Sequence, residues 1–205
     1  MTRVKICGLR ELEHGRVAVE GGAAMLGFVF APSRRRVELD VARDIIAALR
    51  PEGSFAAAGV FVDETADTMN RIAAYCDLDY IQLSGDEPDE IVASLERPVI
   101  RAIHVGDDDD RLRERLVSAP GELILLDTAV PGSRGGTGET FDWSRLPVLD
   151  RPVLLAGGLH PENVAGAIAT VRPWGVDVSS GVESAGRKDA AKIRAFIASA
   201  RPVNL

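Results

Sequence analysis

Two cysteines in 205 residues, Cys7 and Cys76, leave no disulfide framework, and they lie too far apart for a metal-ligand spacing. Such usage points to reduced thiols in a cytoplasm. Lysine is scarce as well: only Lys5, Lys188 and Lys192 occur, and arginine carries the other positive charge. A formal net charge of −7 gives no basic stripe for nucleic acid, although a few local groups suffice to hold a small anion. No apolar run exceeds strand length, which argues against a membrane span. The first strand begins within a few residues of Met1, which argues against a signal peptide. No low-complexity linker divides the chain. Hydrophobic residues make up 46% and charged residues 27%, an ordinary globular balance. The expectation is one domain covering 1–205.

What is present is a regular alternation. Short apolar runs recur as VKIC (4–7), MLGFVF (25–30), AAGVFV (57–62), YIQL (80–83), VIRAI (99–103), LILLD (123–127), VLLAGG (153–158) and GVDVSS (175–180). Between them lie helix-type stretches such as VARDIIAALR, MNRIAAYC, EIVASLE, RLRERLV and NVAGAIATV. Apolar positions three and four apart in these, Ile45, Ala48 and Leu49 for example, mark one buried face. Asp40, the Asp63–Thr65 stretch and Pro161 read as helix starts. Near-continuous apolar strands separated by helices imply a parallel sheet covered on both sides. Eight such units predict a small (β/α)8 barrel, with a doubly wound open sheet as the rival. The segment 131–143, PGSRGGTGETFDW, is too rich in glycine for a helix and reads as a loop over the site.

In a closed parallel barrel the strand C-termini share one mouth, where active sites are built. Cys7 ends the first strand, Asp127 the sixth and Gly157–Gly158 the seventh, while Ser179, Ser180 and Gly181 follow the eighth. Side-chain alternation places Lys5 beneath Cys7 and gives Leu123, Leu125 and Asp127 one direction. The glycine-rich turn in LAGGLHPENV and the Ser-Ser-Gly of VDVSSGVES fit a phosphate cradle, or else two tight turns. Asp127 precedes a proline- and glycine-rich segment rather than a helix, which weakens a capping role. At a partly desolvated mouth its pKa would rise and suit a general acid. Cys7 is either small apolar filler or a reactive thiol. Moving it from its ordinary value to about 7 needs roughly 2 kcal/mol of thiolate stabilisation, from nearby positive charge or backbone N–H groups. Cys76 reads as structural. Of Arg34, Arg35 and Arg36, only one need meet a carboxylate or phosphate. His104 is a weaker mouth candidate, whereas His14 and His160 read as surface or turn residues.

Taken in order, VKICGL, LGFVF-PSRR-V, GVFV, IQL-GDE, LLDT, GGTG-FDW, LAGGL-PENV and VDVSSGVES-G-KD closely resemble the phosphoribosylanthranilate isomerase family of tryptophan biosynthesis. The resemblance covers nearly the whole chain. It implies a (β/α)8 barrel that converts N-(5-phosphoribosyl)anthranilate to its 1-deoxyribulose phosphate isomer without metal or cofactor. It further implies Cys7 as general base, Asp127 as general acid and Arg36 as the partner of the anthranilate carboxylate. Gly157, Gly158, Ser180 and Gly181 match the phosphate cradle. The expected partner is a small phosphosugar, bound by a monomer or homodimer. One departure stands out: the family often reads QLHGDE after strand four, where this chain has Ser84.

Three other readings bear on the same residues. A barrel resembling indole-glycerol-phosphate synthase would need mouth lysines, yet Lys5 sits below Cys7, and Lys188 and Lys192 are expected on the last helix. A barrel resembling the histidine-pathway aldose isomerase would end its first strand in aspartate, not Cys7. A non-catalytic phospho-ligand sensor would keep the cradle alone. Separately, an inward Lys5 needs a counter-charge. Asp177, on the strand that closes against the first, is the expected partner.

Overall fold

The computed structural model describes residues 2–105, 109–128, 143, 146 and 150–201. The segment 131–143 therefore lies outside the described residues except for Trp143. Eight parallel strands form a closed barrel: β1 (Arg3–Cys7), β2 (Met25–Val29), β3 (Ala56–Phe61), β4 (Tyr80–Leu83), β5 (Val99–Val105), β6 (Leu123–Thr128), β7 (Val153–Leu155) and β8 (Gly175–Val178). The ring closes because β1 pairs with β8 in the register Arg3↔Gly175, Val4↔Val176 and Lys5↔Asp177. That closure excludes the open-sheet alternative and makes the fold a (β/α)8 barrel.

The continuous apolar strands are explained by burial on both faces. Alternate residues fill the barrel interior, where Met25, Ala58, Ile100, Leu123, Leu125 and Leu154 form one cluster. The intervening residues, such as Ile6, Leu26, Ala57 and Ile81, pack outward with the helices in a second cluster. The helices are α1 (Leu12–Gly21), α2 (Leu39–Leu49), α3 (Ala66–Tyr75), α4 (Asp109–Ser118), α5 (Val164–Val171) and α6 (Ala190–Ser199). In α2 the residues Ala42, Ile45, Ile46 and Leu49 are buried, as the periodicity predicts for Ile45 and Leu49, whereas Ala48 is exposed and lies off the buried face. None of the helices among the described residues is long and apolar enough to cross a membrane.

Local details depart from the sequence-based expectations. Thr65 does cap α3, its side chain accepting from the Thr68 backbone N–H. Asp40, however, lies inside the first turn of α2 while Glu38 takes the cap position, and Pro161 stands in a turn before α5. The EIVASLE stretch folds as a 3-10 segment, Asp89–Ser94, rather than an α-helix. Pro88 and Pro98 bracket it closely, leaving little chain for full α turns. A short antiparallel hairpin, β9 (Glu183–Ser184) with β10 (Arg187–Lys188), intervenes between β8 and α6. It removes Lys188 from the last helix, correcting its expected place. Lys192 does lie on α6, where its ammonium reaches the Glu183 carbonyl at 2.7 Å.

Candidate active site

The base of the site is the end of β1. Lys5 is fully buried and its Nζ lies 2.8 Å from Asp177 Oδ1, so the expected cross-seam pair exists. Cys7 stands two residues on, at the mouth, and is nearly buried. Its register partner on β2 is Gly27. A Cβ there would lie 2.8 Å from the Cys7 sulfur, so the missing side chain is what leaves room for the thiol. That requirement is invisible in the MLGFVF run read as an ordinary strand.

The opposite wall is built from β6, β7 and β8. Asp127, Gly157, Gly158, Asp177, Ser179 and Ser180 line one cleft at the strand C-termini. Gly157 and Gly158 have φ of 82° and 63°, left-handed conformations that allow two consecutive residues to turn sharply back from β7. Asn163 ties that turn to the start of α5, its Nδ2 donating to the Gly158 carbonyl at 3.0 Å and its Oδ1 accepting from the His160 N–H at 2.8 Å. Gly181 does not line the cleft. It holds the two turns together, since a Cβ at this position would come within 1.9 Å of the Leu159 carbonyl oxygen. Ser180 and Gly181 thus enter the site differently: one at its wall, the other by permitting close backbone approach.

The third wall is the loop after β2. Arg34 and Arg35 turn to one carboxylate: Arg34 Nη2 and Arg35 Nε lie 3.0 and 2.6 Å from Glu183 on β9. Arg36 is exposed, bridges by its backbone to Val29, and has no side-chain partner among the described residues. Lys188, with a side chain 4% exposed, completes the cluster. Its Nζ lies 3.1 Å from Glu183 Oε1, 2.8 Å from the Ser179 carbonyl and 3.3 Å from Ser179 Oγ. Ser179 Oγ in turn donates to the Cys7 carbonyl at 3.1 Å. Glu183 and Lys188 escaped the sequence reading because neither closes a strand; the only signal was the unusual run of charged residues in VESAGRKD.

Electrostatics follow from this packing. Burial pushes the Cys7 thiol above its ordinary value, with Lys5 and Lys188 pulling down and Asp177 pushing up. The positive charge anticipated from sequence is present, but desolvation outweighs it, so the resting thiol holds its proton. Burial acts most strongly against the Lys5 charge, yet Asp177 and Cys7 together offset it and hold the ammonium above the usual lysine range. Lys188 is shifted down by burial although Glu183 opposes the shift. The Glu183 carboxyl resists desolvation because Arg35 and Lys188 hydrogen-bond it, and it is held at about 2.

The remaining candidates separate cleanly. Cys76 caps the C-terminus of α3, is buried, and is pushed by desolvation to about 11. His14 lies on α1 beside Glu11, and His160 pairs with Glu162 in the turn before α5. His104 is exposed at the end of β5, directly opposite Asp127 in register. Ser84 is nearly buried after β4, its Oγ accepting from Gln82 Nε2 at 3.0 Å. Among the described residues no cluster of three or more His, Cys, Asp or Glu side chains could hold a metal ion.

A closed eight-stranded parallel barrel with its cleft at the strand C-termini defines the class of (β/α)8-barrel enzymes. The particular family follows from comparison with known proteins. A family model described as N-(5'-phosphoribosyl)anthranilate (PRA) isomerase matches residues 4–199. The N-(5'-phosphoribosyl)anthranilate isomerase of Desulforudis audaxviator is 52% identical over 203 residues, covering 98% of each chain. The crystal structure of the Thermotoga maritima isomerase superposes with a TM-score of 0.88 at 42% identity, again covering 98% of each chain. A further isomerase, crystallised with reduced 1-(o-carboxyphenylamino)-1-deoxyribulose 5-phosphate, gives a TM-score of 0.83 at 39% identity and 98% coverage of both. The chain belongs to the phosphoribosylanthranilate isomerase family of tryptophan biosynthesis and is an isomerase.

Proposed function

We propose that this barrel catalyses the Amadori rearrangement of N-(5-phosphoribosyl)anthranilate, with Asp127 as general acid and Cys7 as general base. Asp127 gives its proton to the ribose ring oxygen as the carbon 1–oxygen bond breaks and the nitrogen lone pair forms the protonated imine. The Cys7 thiolate then removes the proton from carbon 2, and the electrons of that bond neutralise the imine to give an enolamine. Tautomerisation moves a proton from the carbon 2 hydroxyl to carbon 1 and leaves the ketone. Atoms and charge balance with one acid and one base, and no redox partner is needed.

The observation that carries this reading is the single cleft shared by Asp127, the paired glycines after β7 and the serines after β8. A phosphate seated against those turns lies beside the carboxyl, so binding energy at one end of the sugar aligns the other. Gly157, Gly158 and Ser180 supply that seat, and Gly181 keeps its two halves in contact. Cys7 is joined to the same wall through Ser179. The binding of a reduced product analogue by a family member of closely similar fold supports the choice of phosphosugar.

Arg36 is the residue assigned to the anthranilate carboxylate, because Glu183 engages both neighbouring arginines and the Arg36 fork remains available for a bidentate contact. Arg36→Ala is expected to raise KM about tenfold or more while kcat changes less, as loss of a charge-assisted hydrogen bond implies. Steady-state kinetics check it; an unchanged KM would move the contact elsewhere. The overall reading is tested with freshly prepared phosphoribosylanthranilate, whose fluorescence is lost on conversion. Saturable binding without turnover would leave only a phospho-ligand sensor.

A further inference from the structure

We propose that Lys188 is a positioning residue for Cys7: its ammonium, held between Glu183 and Ser179, supplies the fixed positive charge that stabilises the Cys7 thiolate. This inference rests on the reading of Cys7 as general base. Lys188 lies outside the barrel strands, on a hairpin, where it faces Glu183 across the β9–β10 pair. The structure buries it and directs it back toward the end of β1.

Three observations converge. Lys188 Nζ donates to both the carbonyl and the hydroxyl of Ser179, and that hydroxyl donates to the Cys7 carbonyl. The ammonium and the thiol are therefore linked through one residue across the β1–β8 seam. Glu183 does not cancel this charge alone, because Arg34 and Arg35 share the same carboxylate. The cluster of Arg34, Arg35, Lys188 and Glu183 thus carries a net positive charge beside a nearly buried sulfur. Burial and Asp177 both act against the thiolate, while Lys5 and Lys188 act for it.

The charged groups facing Cys7 are few and can be assigned element by element. Lys5 stands on β1 itself and Asp177 on β8, where they neutralise one another at 2.8 Å. Gly27 on β2 brings no charge. Asp127 lines the cleft on the β6 side, and the loop after β2 contributes Arg35, packed against Gly8. Lys5 acts on the sulfur more strongly than Lys188 does, but Asp177 opposes it at the same site, and Lys188 is the further cation that acts for the thiolate. When the thiol ionises, its proton passes to solvent and the new negative charge faces an ammonium already oriented by three hydrogen bonds, one to Glu183 and two to Ser179.

The sign is definite. Losing Lys188 destabilises the thiolate, so the pH at which Cys7 ionises rises. The test is the pH dependence of Cys7 alkylation by iodoacetamide, followed by mass spectrometry of the N-terminal peptide, which separates it from Cys76. In Lys188→Met and Lys188→Gln the midpoint is expected to rise by about one pH unit or more, while Lys188→Arg stays near wild type. Lys188→Gln keeps a donor for Ser179 without the charge, and it decides the question should Lys188→Met fail to fold. The acid limb of kcat/KM is expected to move with the midpoint, lowering kcat/KM near neutrality about tenfold in the uncharged variants. An unmoved alkylation midpoint in a folded, uncharged variant overturns the proposal, as does an equal shift in Lys188→Arg. Alkylation requires no turnover. A wild-type rate in Cys7→Ala would therefore defeat the general-base reading without touching this readout, so the two failures are distinguishable.

Discussion

Cys7→Ala is expected to lower kcat by about 10²–10⁴-fold, with affinity for a phosphorylated product analogue close to wild type. In the proposed mechanism the thiol takes a carbon-bound proton, for which alanine offers no substitute. The proposed phosphate seat belongs to other elements, the turns after β7 and β8 that line the cleft, so binding is expected to survive the substitution. The sulfur also fills space that Gly27 leaves open, and its loss removes little volume, so the variant folds. Asp127→Asn is expected to lower kcat within the same range, because the amide keeps the size of the acid but cannot release a proton to the ring oxygen. Turnover of freshly made substrate, paired with calorimetric titration of the analogue, checks both variants. A wild-type rate in Cys7→Ala removes the thiol from the mechanism.

Lys5→Met has its large effect on stability. The substitution leaves Asp177 charged and nearly buried beside a methyl thioether, and stripping one partner from a buried pair costs about 3–5 kcal/mol. Urea unfolding is expected to show a lower midpoint with little change in slope. The double variant Lys5→Met/Asp177→Leu recovers most of the loss, because apolar replacement of both partners removes the stranded charge. If the single variant unfolds at the wild-type urea concentration, the pair contributes nothing to stability. The pH range is set by direction: Lys5 is held above its ordinary 10.5. A raised lysine pKa means that the pair's contribution is complete below that ordinary value and disappears only as pH climbs through the higher folded value. At the acid end the Glu183 carboxyl, held at about 2 rather than 4.5, contributes stability that is full above 4.5 and fades as pH falls toward 2.

The barrel was legible because each strand advertises itself. Runs such as LILLD and VLLAGG are apolar at consecutive positions, which only a sheet buried on both faces tolerates. Parity within VKIC placed Lys5 under Cys7, and the closing register then made Asp177 its partner. Glycine pairs and Ser-Ser-Gly at strand ends marked the cleft for the same reason: their positions follow from the alternation itself. Other features obey no such period. Arg35 and Glu183 meet although 148 residues separate them, and Lys188 reads as the start of a helix until the β9–β10 hairpin is seen to displace it. Whether EIVASLE becomes α or 3-10 depends on the prolines that confine it, and apolar spacing alone cannot decide between them. The direction of the Cys7 shift was also hidden, because it is a balance of burial against two lysines from different parts of the chain.

The contact between Ser179 and Cys7 joins residues 172 positions apart. On the proposed mechanism, catalytic competence is therefore a property of the finished ring: the first strand holds one reacting group, and the turn after the eighth completes the wall beside it. Any excursion that parts these two strands silences the enzyme while most of the remaining hydrogen-bonded staves stay intact. Loss of activity on warming should accordingly run ahead of loss of helix content, and a ligand lying across the joint would act as a clasp that delays both.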